Sequence, residues 1–180
     1  MKKTVLTFGL ISGFIMIAMM TLSLVFSERI GFGHNLVLGY TILIAGSLLV
    51  FFGIRSYREN VGGGQISFGR AFAVGILITL IASVCYVVTW EIIYFKFMPD
   101  FADKYAAYMI EKARAAGESA QKIQAITDEM KGMKAMLNNP FLNAAFSFLE
   151  PFPIGLIVTL ISAAVLRKKP SQPVNDAVAA

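Results

Sequence analysis

Four long stretches of the chain are almost free of charge, and the polar residues gather between them. The apolar runs cover residues 4–27, 36–54, 71–95 and 141–166. An α-helix rises 1.5 Å per residue, so about 20 apolar residues cross a hydrocarbon core of about 30 Å. The run at 71–95 reads AFAVGILITLIASVCYVVTWEIIYF and holds a single acid, Glu91. The pattern predicts an all-α, polytopic membrane protein with four transmembrane helices. The segment at 96–140 differs, because its apolar residues recur at helical spacing among charges. Phe101, Tyr105, Tyr108 and Met109 mark one face, and Ile123, Ile126, Met130, Met133 and Leu137 mark another. Asp100 and Ser119 are placed to cap the two helices, Gly117 to end the first, and Asn138-Asn139-Pro140 to stop the second. The expected element is a helical hairpin whose two faces cover each other. Lying on the bilayer surface or binding a partner are the alternatives.

Small residues predict where the spans approach each other. Gly9 and Gly13 form a GxxxG pair in the first run. Gly39, Gly46 and Gly53 recur every seven residues in the second, a spacing that drifts only about 20° per step around a helix. The fourth run is interrupted by Glu150-Pro151-Phe152-Pro153. Proline removes a helical hydrogen bond, so the helix either kinks there or restarts at Pro151. Residues 28–35 read as a short loop between the first two spans.

Composition sharpens this picture. Of the 180 residues 57% are hydrophobic and only 15% charged, against about 25% charged in soluble domains. The net charge is +5. Lys2, Lys3, Arg55, Arg58, Arg70, Arg167, Lys168 and Lys169 all fall on one side of a four-span chain, opposed there by Glu59 alone. Short loops rich in Lys and Arg stay cytoplasmic, which places both termini inside and the hairpin outside a bacterial inner membrane. The basic balance is therefore explained by orientation, and no nucleic-acid partner is expected. Residues 1–169 form one membrane domain, and 170–180 an expected disordered cytoplasmic tail.

Candidate chemistry is sparse. The lone His34 reads as a loop residue, since one histidine makes a poor metal site. Cys85, the only cysteine, permits no disulfide within the chain and reads as packing. Gly62-Gly63-Gly64 lacks the Lys-Ser/Thr of a phosphate loop and reads as a turn. Glu91 and Glu150 stand out. Glu91 is 21 residues from Arg70 and Glu150 is 17 from Arg167, about 31 and 25 Å of helix, so both fall in the outer part of the membrane. Each needs water, a proton or a partner there, and a shared site would suit protons or cations.

Several stretches together carry a family likeness. They are Gln65-Ile66-Ser67-Phe68-Gly69-Arg70-Ala71-Phe72, Trp90-Glu91, Glu111-Lys112-Ala113-Arg114-Ala115, Asn139-Pro140-Phe141 and FLEPFPIGLIVTLISAAVL at 148–166. The chain resembles a bacterial family of small integral membrane proteins defined as a domain of unknown function (number 4199). The resemblance implies four membrane helices with a helical insert before the last, and no activity, ligand or catalytic residue. With no nucleophile, metal or cofactor motif, the expected role is non-enzymatic. It is a structural, regulatory or assembly component that touches lipid and meets a protein partner through Ile123, Ile126, Met130 and Met133. The alternative is a small oligomeric transporter or channel using Glu91 and Glu150.

Overall fold

The computed structural model describes the backbone of residues 1–30 and 32–168 and the side chains of residues 1–24 and 39–168. The expected tail at 170–180 and the side chain of His34 lie outside the described residues. Helices α1 (Lys2–Ile30), α2 (Phe32–Ser47), α3 (Leu49–Asn60), α4 (Phe68–Ile92), α5 (Phe101–Ala115), α6 (Ala120–Leu137), α7 (Pro140–Phe148) and α8 (Pro151–Leu166) follow in order, with a π turn at Ile93–Phe97 after α4. Four helical stretches are long and apolar enough to cross a membrane: Lys2–Leu24, Gly39–Asn60, Phe68–Phe97 and Pro140–Leu166. The hairpin α5–α6 lies between the third and fourth.

Three details correct the sequence reading. The loop expected at 28–35 is helical wherever its backbone is described, because α1 continues to Ile30 and α2 begins at Phe32. The second span is two helices that meet at Leu48, where the chain stays in the right-handed region and Phe51 N donates to the Leu48 carbonyl at 3.1 Å. Asp100 occupies the cap position of α5 but makes no capping bond, since its carboxylate pairs with Lys104 at 2.9 Å. Ser119 does cap α6, accepting from Lys122 N at 3.3 Å. At the proline break, α7 stops at Phe148 and α8 starts at Pro151.

The core sits at the basic end. Val5, Val50, Ile54, Tyr57, Ile66, Ala71, Val74, Ile78, Ala163 and Leu166 form one buried cluster drawn from all four spans. A single antiparallel bridge joins Ile66 to Lys168, and Arg58 donates to the Leu166 carbonyl at 3.3 Å, so the turn after α3 is tied to the end of α8. That turn needs its glycines: Gly63 and Gly64 have φ of +60° and +81°.

Glycines bring the helices together. A Cβ on Gly9 would stand 2.9 Å from Ile81 Cβ, one on Gly13 2.8 Å from Cys85 Cβ, and one on Gly46 2.8 Å from Met16 Cγ. At Gly53 it would meet Ile78 at 2.5 Å. Ser12 Oγ, fully buried, donates to the Gly46 carbonyl at 2.6 Å, satisfying a hydroxyl that lipid could not. Between α4 and α8 the contact is reciprocal. Gly75 faces Thr159 and Gly155 faces Thr79, while the two threonine hydroxyls lie 3.2 Å apart. Gly39 is different, because among the described residues a Cβ there meets nothing within 4 Å. Outward-facing side chains such as Phe14, Leu10, Ile157 and Val165 are exposed and apolar, as contact with lipid requires.

The two hairpin helices pack on each other and on the end of the bundle. Ala102 and Ala113 of α5 and Met130 and Leu137 of α6 are buried, and Lys134 pairs with Asp103 across the two helices. Gly117, at φ +70°, closes α5 by a paired turn in which Glu118 N reaches the Ala113 carbonyl and Gly117 N the Arg114 carbonyl. A Cβ on Gly117 has open space around it. Gly117→Ala is therefore expected to destabilise the hairpin by the backbone term alone, roughly 1–2 kcal/mol. Hydrogen exchange at the Glu118 amide would show it as faster opening.

Candidate functional site: a roofed aromatic cavity

Tyr86, Trp90 and Tyr94 follow one another at four-residue spacing, so they share one face of α4 and the π turn as these leave the bundle. This aromatic ridge meets the hairpin. The Trp90 ring stands edge-on to Phe101 with centroids 5.2 Å apart, and lies 5.8 Å from Tyr94. Tyr94 is buried with Ala102 and Leu137, and Met133 and Met136 pack around them.

A single amide fixes this arrangement. Asn143 is completely buried in α7. Its Oδ1 accepts from Trp90 Nε1 at 2.9 Å and from Ser147 Oγ at 3.2 Å, and its Nδ2 donates to the Leu137 carbonyl at 3.0 Å. That carbonyl belongs to the last residue of α6, where no intrahelical donor remains. One side chain therefore joins α4, α6 and α7. Tyr94 OH adds a bond to Asn138 Oδ1 at 3.1 Å, and Asn139 caps α7 by accepting from Phe141 N and Leu142 N. Sequence reasoning passed over Asn143. Its signal is an amide inside the apolar stretch Phe141-Leu142-Asn143-Ala144-Ala145-Phe146, where an unpaired polar group is costly.

Beneath the hairpin lies a cavity of about 370 Å³. Helices α1 and α2 contribute Met20, Leu24, Ile42 and Leu43, and the hairpin contributes Phe101, Tyr105 and Met133. Tyr40, Tyr86, Trp90 and Phe146 complete an aromatic wall. Burial, reinforced by Tyr108 and Glu129, holds the Tyr105 phenol above its ordinary range, so it remains neutral. Among the described residues the only charged one that lines the cavity is Glu150, in the break between α7 and α8. Its Oε2 accepts from Tyr86 OH at 2.9 Å, and the side chain is exposed, which places it at the opening.

Glu91 is not among the residues that line the cavity. It is five positions beyond Tyr86, about 140° further around the helix at 100° per residue. One of its carboxylate oxygens is enclosed and has no hydrogen-bond partner. The described structure thus assigns Glu150 to the cavity and leaves Glu91 on a different side of α4. The other residues singled out in the sequence divide similarly. Met130 is buried in the hairpin, Met133 lines the cavity, and Ile123 and Ile126 are half-buried. Gly39 also lines the cavity, whereas Gly9, Gly13, Gly46 and Gly53 lie at helix contacts.

Fold and cavity together define a four-span helical membrane protein with a helical roof over an aromatic chamber. The chain belongs to the family described as protein of unknown function (DUF4199), which matches residues 7–168. Comparison with curated proteins and with solved structures gives no match.

Proposed function

We propose that this protein is a non-enzymatic membrane component that acts through its outer hairpin, and that the hairpin works by closing a cavity that binds a small molecule. The observation that carries this reading is the docked state of the hairpin. Its apolar residues Met133 and Leu137 turn towards the bundle, and the space they enclose with Trp90 and Tyr86 is of ligand size. The hairpin's first partner is thus its own bundle. Basic residues Lys2, Lys3, Arg55, Arg58, Arg70, Arg167 and Lys168 gather at the opposite end, so we place that end in the cytoplasm and the cavity on the outer side.

Gly39 offers a clean test. It lines the cavity, and a side chain built on it has open space, so Gly39→Phe fills the chamber without forcing a backbone apart. Phenylalanine also suits a helix interior better than glycine. Native mass spectrometry of the full chain released from its own membranes is expected to show a bound small-molecule mass on the wild type that Gly39→Phe lacks. Identical spectra for the two proteins, free of such a mass, would refute the binding role.

A further inference from the structure

The cavity's lining restricts what can occupy it. Six aromatic rings face it, from Tyr40, Tyr86, Trp90, Phe101, Tyr105 and Phe146. Aromatic faces carry negative potential and attract cations, tryptophan most strongly. Among the described lining residues the one that carries charge is the acid Glu150, and none is Lys, Arg or His. Glu150 Oε2 holds the Tyr86 hydroxyl, while among the described residues no cation pairs with the carboxylate and Oε1 has no hydrogen-bond donor. Several hairpin cations are already matched by acids of the hairpin itself: Lys104 with Asp100, Lys122 with Glu118, Lys131 with Asp128 and Lys134 with Asp103.

Two ligand classes fit poorly. An anion would meet the like charge of Glu150 and, among the described lining residues, no cation. A bare divalent metal ion needs about six oxygen ligands, and a single carboxylate beside apolar rings does not supply them. A cation with a bulky apolar body satisfies both features of the chamber: its charge meets Glu150 at the opening, and its body replaces water against the rings. We infer that the cavity binds a lipophilic organic cation, aromatic or quaternary, with its positive centre against Glu150 and its apolar groups against Trp90 and the surrounding rings. This rests on the reading of the cavity as a binding site.

Trp90 is the chain's only tryptophan and lines the cavity, so its emission reports occupancy directly. The full chain in lipid nanodiscs would be titrated with tetraphenylphosphonium and, separately, with tetraphenylborate, which has the same shape and the opposite charge. Simple partition into lipid gives non-saturating quenching that Gly39→Phe retains, and this background is subtracted. The expected result is saturable quenching by the phosphonium alone. It should weaken at least tenfold in Glu150→Gln and vanish in Gly39→Phe, with circular dichroism of both variants unchanged. Saturable binding of both ions, lost in Gly39→Phe, would overturn the cation inference and leave the binding role standing. Equal phosphonium affinity in wild type and Glu150→Gln would overturn it as well. No saturable quenching of the wild type by either ion would also overturn it, and the binding role would then rest on the mass-spectrometric comparison alone.

Discussion

Asn143→Leu is expected to detach the hairpin from the bundle. The substitution keeps the number and branching of side-chain heavy atoms and removes both polar atoms through which this residue joins α4, α6 and α7. Trp90 Nε1, the Leu137 carbonyl and the Ser147 hydroxyl then lose their shared partner. A buried polar group left unpaired costs about 1–3 kcal/mol, so two of them together cost about 2–6 kcal/mol. Hydrogen exchange across α5 and α6 in nanodiscs should accelerate about thirtyfold or more, while α4 and α8 near the basic end keep their protection. Wild-type exchange across the hairpin in Asn143→Leu would show that apolar packing around Tyr94 holds the roof without the amide.

The second large effect is expected where α4 crosses α8. Gly155→Ala adds a methyl group against Thr79, and both positions are buried. Neither helix can retreat freely, because Gly75 presses on Thr159 one turn away, at 2.7 Å from a Cβ to Thr159 Cγ2. Overpacking of this kind costs about 1–3 kcal/mol. Thr79→Ala removes the methyl group in the way and with it the hydroxyl contact to Thr159, and interhelical hydrogen bonds of this kind average about 0.6 kcal/mol. The double variant Gly155→Ala with Thr79→Ala is therefore expected to be more stable than Gly155→Ala alone. Thermal unfolding in detergent measures all three. Purely additive losses would show that the crossing relaxes by moving the helices, not by relieving this one contact.

Much of the architecture was legible in the chain. Four nearly uncharged runs, each long enough to cross a bilayer, leave helices as the one arrangement that satisfies every backbone group within the run. The hairpin was legible too, because Gly117 and Ser119 terminate and start helices through local backbone chemistry that needs no distant partner. The same locality explains what was misread. Asp100 looked like a cap, but Lys104 lies one turn further on and takes the carboxylate instead. The loop expected at 28–35 was drawn from its polar residues, yet α1 continues through Glu28 and Arg29 to Ile30.

The site was less legible, because it is made of contacts between remote segments. Glu91 and Glu150 look alike in sequence, each an acid in an apolar run and far along the chain from that run's basic flank. Helical angle separates them, since Tyr86 and Trp90 face the cavity and Glu91 does not. The stripe of Ile123, Ile126, Met130 and Met133 looked like a surface for another protein. A helical period says that such a face must be covered but not by what. Gly39 looked like the other glycines of its seven-residue series, and only its neighbours distinguish a helix contact from a cavity wall.

By itself, then, the sequence determined the four spans, the hairpin between the third and fourth, and the basic end, because hydropathy, capping and charge act over one or two helical turns. The tertiary structure decided which face of α4 meets the hairpin, that Asn143 joins three helices, and that Glu150 rather than Glu91 stands at an aromatic cavity. Those outcomes depend on how helices far apart in the chain rotate and pack against one another, and no local pattern encodes that rotation.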